Sequence, residues 1–146
     1  MNTNKLSSSG LKQTSQRKKI LEFIESSKSH PTADEIFTNV RKDIPNVSRT
    51  TIYNTVNKLA KEGIIKCMNT KNGEMHFDAC LEPQYHFMCD QCGAIYDLGL
   101  CSGILQKEID GHEIKDIFIC YNGICKECRR KNENGEIHKD DDIILE

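Results

Sequence analysis

The sequence predicts an α+β chain in two parts. Three capped helices closed by a β-hairpin are expected over residues 1–80, and a small α/β segment over 81–131, followed by a charged, mobile tail at 132–146. Charge divides the chain in the same place: residues 1–66 hold 12 Lys and Arg against 6 Asp and Glu, whereas residues 67–146 hold 8 against 16. Helix-capping signals with helical periodicity fall in the first part, and closely paired cysteines fall in the second. A basic module ahead of an acidic one suits a chain whose first part meets phosphates.

Composition narrows the class. Of 146 residues, 37% are apolar and 29% charged, which excludes both a disordered and a membrane-embedded chain. No run approaches the roughly 18 consecutive apolar residues that a spanning helix needs. Met1–Gly10 is polar, so no export signal is expected and the eight cysteines are expected to stay reduced in the cytoplasm. A secreted module stapled by disulfides is thereby excluded.

Thr14 can cap a helix over Ser15–Ser26, with Ile20, Phe23 and Ile24 as its apolar stripe. His30-Pro31 breaks the chain, and Thr32-Ala33-Asp34-Glu35 reads as a capping box: a hydroxyl at the cap and a carboxylate three residues on. It opens a second helix on Ile36, Phe37 and Val40, ended by the turn Asp43-Ile44-Pro45-Asn46. Ser48 caps a third helix through Glu62. There Ile52, Val56, Leu59 and Ala60 share one face, and Gly63 supplies the left-handed stop. The strands expected at Ile64–Met68 and Glu74–Asp78 flank Lys71-Asn72-Gly73, a hairpin turn. Three helices and a β-hairpin make a winged helix-turn-helix.

The third helix presents Arg49, Thr50, Thr51, Tyr53, Asn54 and Asn57 away from its apolar face, a set short of carboxylates and rich in donors suited to base edges and phosphates. Lys12, Arg17, Lys18, Lys19, Arg49 and Lys58 are the expected phosphate contacts, and Tyr53 can meet a thymine methyl.

Cys89-Asp90-Gln91-Cys92-Gly93 and Cys125-Lys126-Glu127-Cys128 form two CxxC pairs separated by 32 residues, a gap that a strand-helix-strand insert would span. Four thiolates in two such pairs meet the tetrahedral demand of a structural Zn²⁺. Neither pair has the surroundings of a redox CxxC. Because that site is closed, a zinc hydrolase, which needs an open position and a nearby base, is not expected, and neither is a small organic substrate. Cys67, Cys80, Cys101 and Cys120 lack such spacing and read as small apolar fillers. His30, His76, Asp78, His86 and Asp97 make a looser set, imidazoles and carboxylates of the kind that hold Fe²⁺, Mn²⁺ or Zn²⁺.

Several of these stretches together resemble the ferric uptake regulator (Fur) family. They are Leu11-Lys12-x-Thr14-x-Gln16-Arg17, His30-Pro31-Thr32-Ala33-Asp34-Glu35-Ile36, Ser48-x-x-Thr51-Ile52-Tyr53, Tyr85-His86-x-x-Cys89-x-x-Cys92-Gly93 and Gly123-x-Cys125-x-x-Cys128. The resemblance runs from residue 11 to about 131. It implies a homodimer with an N-terminal winged helix and a C-terminal α/β dimerisation domain. It also implies one structural zinc per subunit on Cys89, Cys92, Cys125 and Cys128, and a regulatory Fe²⁺ or Mn²⁺, with Zn²⁺ as a further candidate, between the domains.

His30, Asp78, His86 and Asp97 match four of the five regulatory ligands. The fifth, usually His, falls on Gln84, a weaker and harder donor. A further metal site found in some iron-sensing members falls on Pro83 and Tyr85 and is not expected. Aspartate at both 78 and 97 resembles the peroxide-sensing (PerR) branch, in which bound Fe²⁺ turns H₂O₂ against a ligating His. His30 matches the oxidised position, and Gln84 replaces a second one. The implied function is a metal-dependent repressor on a palindromic operator of double-stranded DNA, released by peroxide. The alternative is a regulator of iron or zinc uptake that answers metal depletion alone.

Overall fold

A computed structural model describes residues 3–101 and 106–135, and the chain divides into two compact units, Met1–Glu82 and Pro83–Glu146. In the first unit α1 (Thr3–Ser8) precedes α2 (Ser15–Ser26), α3 (Ala33–Asp43) and α4 (Arg49–Lys61), and an antiparallel hairpin joins β1 (Lys66–Asn69) to β2 (Met75–Asp78). This is the predicted winged helix-turn-helix.

The caps are those the sequence supplies. Thr14 Oγ1 accepts the Arg17 N–H at 3.2 Å and Ser48 Oγ accepts that of Thr51 at 3.1 Å. The Thr32–Glu35 box closes in both directions, at 2.8 and 3.3 Å. Each cap satisfies a backbone donor that a helix start leaves open. At the far end of α4, Gly63 (φ +67°) donates to Ala60 and Ile64 donates to Leu59, which completes a Schellman stop.

Ile20, Leu21, Ile24, Ile36, Val40, Ile52, Val56 and Leu59 meet in one core, closed from the wing by Ile64, Ile65 and Phe77. That is why β1 begins two residues later than the sequence suggests: Ile64 and Ile65 are drawn into the helical core before the chain becomes strand. α1 was not expected. It is short and polar except for Leu6, which is 2% exposed and belongs to the same core.

The second unit is a three-stranded sheet in the order β4-β3-β7, with β3 (Gln84–Cys89) in the centre, antiparallel to β4 (Ile95–Leu100) and parallel to β7 (Ile119–Gly123). A parallel neighbour requires a crossover. The described part of that crossover carries a small hairpin, β5 (Glu108–Ile109) with β6 (His112–Glu113). The helix expected in this insert is absent among the described residues; short strands with Gly111 at φ +80° take its place. α5 (Lys126–Glu133) follows, so the first two residues of the predicted tail are helical, and residues 136–146 of it lie outside the described residues. No helix of the described residues is long and apolar enough to cross a membrane.

Candidate metal centres and nucleic-acid face

β3 ends at Cys89, and the tight turn after it, with Gly93 at φ +72°, brings Cys92 back beside it. Cys125 caps α5 through its own sulfur, which accepts the Cys128 N–H at 3.4 Å and sets Cys128 one turn on. A reciprocal amide pair between Gln91 and Asn132, at 3.3 and 3.1 Å, fastens the first turn to α5. All four sulfurs lie within 4.8 Å of one another, with Cys89–Cys128 and Cys92–Cys125 each at 3.8 Å. A tetrahedron with Zn–S bonds of about 2.3 Å has edges of about 3.8 Å, so the donor set fits Zn²⁺ in size as well as chemistry.

The sulfurs differ in their readiness to ionise. The backbone N–H of Cys128, and then the Tyr96 hydroxyl, draw Cys125 down to about 6. By donating to that sulfur Tyr96 is itself pushed up to about 12. Burial opposes ionisation of Cys89, but N–H groups of Cys125, Cys92 and Gln91 outweigh it and lower its pKa. Burial and the neighbouring sulfurs hold Cys128 up at about 12, and burial leads in raising Cys92. Cys125 is thus the sulfur readiest to ionise, Cys89 is eased the same way, and Cys92 and Cys128 resist it. A divalent cation, which deprotonates a coordinating thiol outright, would make all four thiolates.

Each unit also pairs an imidazole with a carboxylate. In the first, His30 Nε2 lies 3.5 Å from Asp78 Oδ2, and both side chains are largely buried. The other carboxylate oxygen accepts the Cys80 N–H at 2.8 Å, which fixes Oδ2 toward His30. In the second, a bulge after Tyr85 skips Leu98 and sets Asp97 opposite His86 in register, Nε2 to Oδ1 3.4 Å. Phe118 stacks on the His86 ring at 5.4 Å. Metal bonds of about 2.0–2.2 Å put adjacent ligand atoms roughly 3–3.5 Å apart, so each pair fits two positions of one coordination sphere. Gln84 sits two residues before His86 on the same strand face, its Oε1 buried without a hydrogen-bond donor among the described residues.

On α4, Arg49, Thr50, Tyr53 and Asn54 are exposed, as the helical spacing requires, whereas Thr51 is half-buried with its hydroxyl 2.9 Å from that of Ser48. Arg49 pairs with Asp34 and lies over the Phe37 ring, 4.5 Å from its centroid. Lys12 is exposed, and Arg17 Nη1 donates to the Lys12 carbonyl at 2.6 Å.

Residues 8–119 match the family described as the Ferric uptake regulator family. The chain belongs to that family.

The second cysteine pair lies beyond the matched stretch, so the four-sulfur cluster stands on the geometry above. The peroxide-responsive repressor PerR of Staphylococcus aureus is 36% identical, over 86% of this chain and 88% of that protein. Among solved structures, the Campylobacter jejuni peroxide stress regulator superposes with a TM-score of 0.68 at 25% identity, covering 86% of this chain and 95% of that one. The Francisella tularensis ferric uptake regulator with iron gives 0.67 at 28%, covering 82% and 96%. The chain is therefore a Fur-family metal-responsive regulator, with the α+β architecture of that family.

Two contributors in this Fur-family chain escaped the sequence. Tyr96 carries no motif signal of its own; strand alternation turns it to the face opposite Asp97, against the cysteine cluster. His76 belongs by residue type to the loose ligand set; in the structure its Nδ1 faces the backbone carbonyl of His30. Of the four remaining cysteines only Cys101 is buried; Cys67 is exposed, and Cys80 and Cys120 are intermediate, so three of them do not serve as core filler. Cys67 is the register partner of Phe77 across the hairpin, yet it is exposed while Phe77 is buried in the core.

Proposed function

We propose that the chain is a cytoplasmic, homodimeric, metal-dependent repressor that binds a palindromic operator in double-stranded DNA and releases it when peroxide oxidises His30. The observation that supports this reading most directly is the presence, in each unit, of one buried imidazole set against one carboxylate at ligand spacing. His30, Asp78, His86, Asp97 and Gln84 would hold the regulatory ion, Fe²⁺ or Mn²⁺ with Zn²⁺ as a further candidate. Cys89, Cys92, Cys125 and Cys128 would hold a structural Zn²⁺, one per subunit. The role is regulatory, not enzymatic.

An ion with ligands from both units favours whichever arrangement of the units lets all of them bind. It shifts the population only by its differential affinity for that arrangement. Going from 1:99 to 99:1 takes about 5.5 kcal/mol, within the reach of several metal–ligand bonds. Lys12, Arg17, Arg49, Thr50, Thr51, Tyr53 and Asn54 form the DNA-facing set, and affinity falls steeply with salt wherever Lys and Arg neutralise phosphates.

Bound iron would supply the one-electron redox chemistry that activates H₂O₂, with no net change in its own oxidation state. In the overall change one oxygen atom from H₂O₂ is added to a ring carbon of His30 and the other leaves as water. The altered ring is a poorer ligand, so the bias toward the DNA-binding arrangement is lost. Similarity to the S. aureus peroxide-responsive repressor, and Asp at both 78 and 97, support the peroxide reading over metal depletion alone.

The test is to load the protein with Fe²⁺ anaerobically, expose it to H₂O₂, and digest it with trypsin. The peptide Ser29–Arg41 is expected to gain the mass of one oxygen atom while a gel shift on promoter DNA is lost. Loss of DNA binding on chelation, with peroxide leaving that peptide unaltered, would leave the metal-depletion regulator instead.

A further inference from the structure

We infer that His76 is a positioning residue for the regulatory centre: its ring holds the backbone of His30 so that the His30 imidazole is aimed before any ion binds. The inference rests on the reading of His30 as a metal ligand. His30 has φ +52°, a left-handed conformation that a residue with a side chain adopts at a steric cost and keeps only where its surroundings enforce it.

Those surroundings are visible in the first unit. His76 Nδ1 lies 2.6 Å from the His30 carbonyl oxygen, and since a carbonyl only accepts, the ring must carry its proton there and donate. The next contacts extend the same seam: the Phe77 N–H donates to the Pro31 carbonyl at 3.0 Å, and Thr32 forms an antiparallel bridge with His76. Residues 30–32 are thus laid as a short extra strand against β2.

The alternation of β2 explains why His76 and Asp78 both reach His30. They share one face of the strand, while Phe77 between them enters the helical core. Asp78 meets the His30 imidazole and His76 meets the His30 backbone, so two residues of one strand hold the ring and the main chain of the same residue. His76 is 9% exposed and Met68 is its register partner, which keeps competing water from the bond.

The demand is for a donor at the Nδ1 position. An asparagine amide nitrogen can reach that position, whereas the longer glutamine places its amide nearer Nε2. The full-length, zinc-loaded protein is compared as His76→Asn, His76→Gln and His30→Ala, with Mn²⁺ affinity followed by the EPR signal of the free ion. Amide exchange of Phe77 is read in parallel on protein without Mn²⁺.

The expected result is wild-type Mn²⁺ affinity and wild-type Phe77 protection in His76→Asn. In His76→Gln, a loss of about tenfold in affinity is expected, as for other residues that orient a ligand, with faster Phe77 exchange while α2–α4 stay protected. Equal affinity in all three His76 forms, or equal loss in Asn and Gln, overturns the positioning role. If His30→Ala binds Mn²⁺ as the wild type does, His30 is not a ligand and the underlying reading fails on its own account.

Discussion

The guanidinium of Arg49 is held between two residues of α3, stacked over the ring of Phe37 at 4.5 Å and donating to the carboxylate of Asp34. Arg49 is the first residue of α4, so this contact sits at the start of the helix proposed to face DNA. Both charged groups are more than half exposed, and such pairs contribute only about 0–1 kcal/mol, which a phosphate can displace. Asp34→Asn is expected to release Arg49 for that phosphate. DNA affinity should rise, and the slope of log K against log salt should steepen by about 0.9 for the added contact. Arg49→Ala should move both the other way. Fluorescence anisotropy on operator DNA at several salt concentrations reads both quantities; an unchanged slope in both variants would remove Arg49 from the phosphate contacts.

Cys125→Ser is expected to destabilise the second unit. Cys125 is at once the cap of α5, an acceptor of the Tyr96 hydroxyl and one corner of the sulfur tetrahedron. A structural zinc contributes its binding free energy to folding, so losing one ligand should release the metal and lower the thermal midpoint of the second unit well below that of the first. Metal analysis and calorimetry check it. A variant that keeps stoichiometric zinc with an unshifted transition would show that the four sulfurs do not act together.

Reduced protein stripped of zinc should be most stable near pH 9. Cys125, at about 6 folded against an ordinary 9.0, and Cys89, also lowered, stabilise the fold above the ordinary thiol range. That contribution shrinks as pH falls from about 9 toward about 6. Cys92 and Cys128 are raised, so their contribution is present below about 9 and is lost as pH climbs toward about 12. Urea midpoints taken from pH 6 to 11 under reductant should rise and then fall, while those of zinc-loaded protein should climb more steeply up to about pH 9 and then level off, because its four thiolates take up protons on unfolding only below the ordinary thiol range. A midpoint that keeps rising beyond pH 9 would contradict the assignment of Cys128.

Local signals carried the first unit well. Thr14, Thr32, Ser48 and Gly63 each act within a few residues of their own position, so α2, α3 and α4 could be read with nearly their observed bounds. The two CxxC turns were legible for the same reason. What could not be read depends on distant partners. α1 exists because Leu6 finds a core built by later helices, and no periodicity within six residues announces that. The crossover after β4 is long enough for a helix, and length alone cannot separate a helix from a small hairpin. The role of His76 is invisible to spacing because its partner is a carbonyl 46 residues away. Asp97 stands in the loose ligand set by residue type, but the bulge that sets it opposite His86 has only Gly99, at φ +111°, as a local trace.

The fifth ligand position can be decided by two substitutions with opposite consequences. Gln84 lies on β3 two residues before His86, and its Oε1 is buried with no donor among the described residues. A carbonyl taken from water without a replacement costs about 1–3 kcal/mol, so the side chain is either a standing cost or a ligand. If it is a ligand, Gln84→Leu should weaken Mn²⁺ binding about tenfold, and Gln84→His, which offers a nitrogen in place of an amide oxygen, should tighten it by a similar factor. Isothermal titration of the zinc-loaded protein with Mn²⁺ reads both. If Gln84→Leu instead leaves Mn²⁺ affinity alone and raises the thermal midpoint, the carbonyl was only a penalty, and the regulatory ion is held by His30, Asp78, His86 and Asp97 without it.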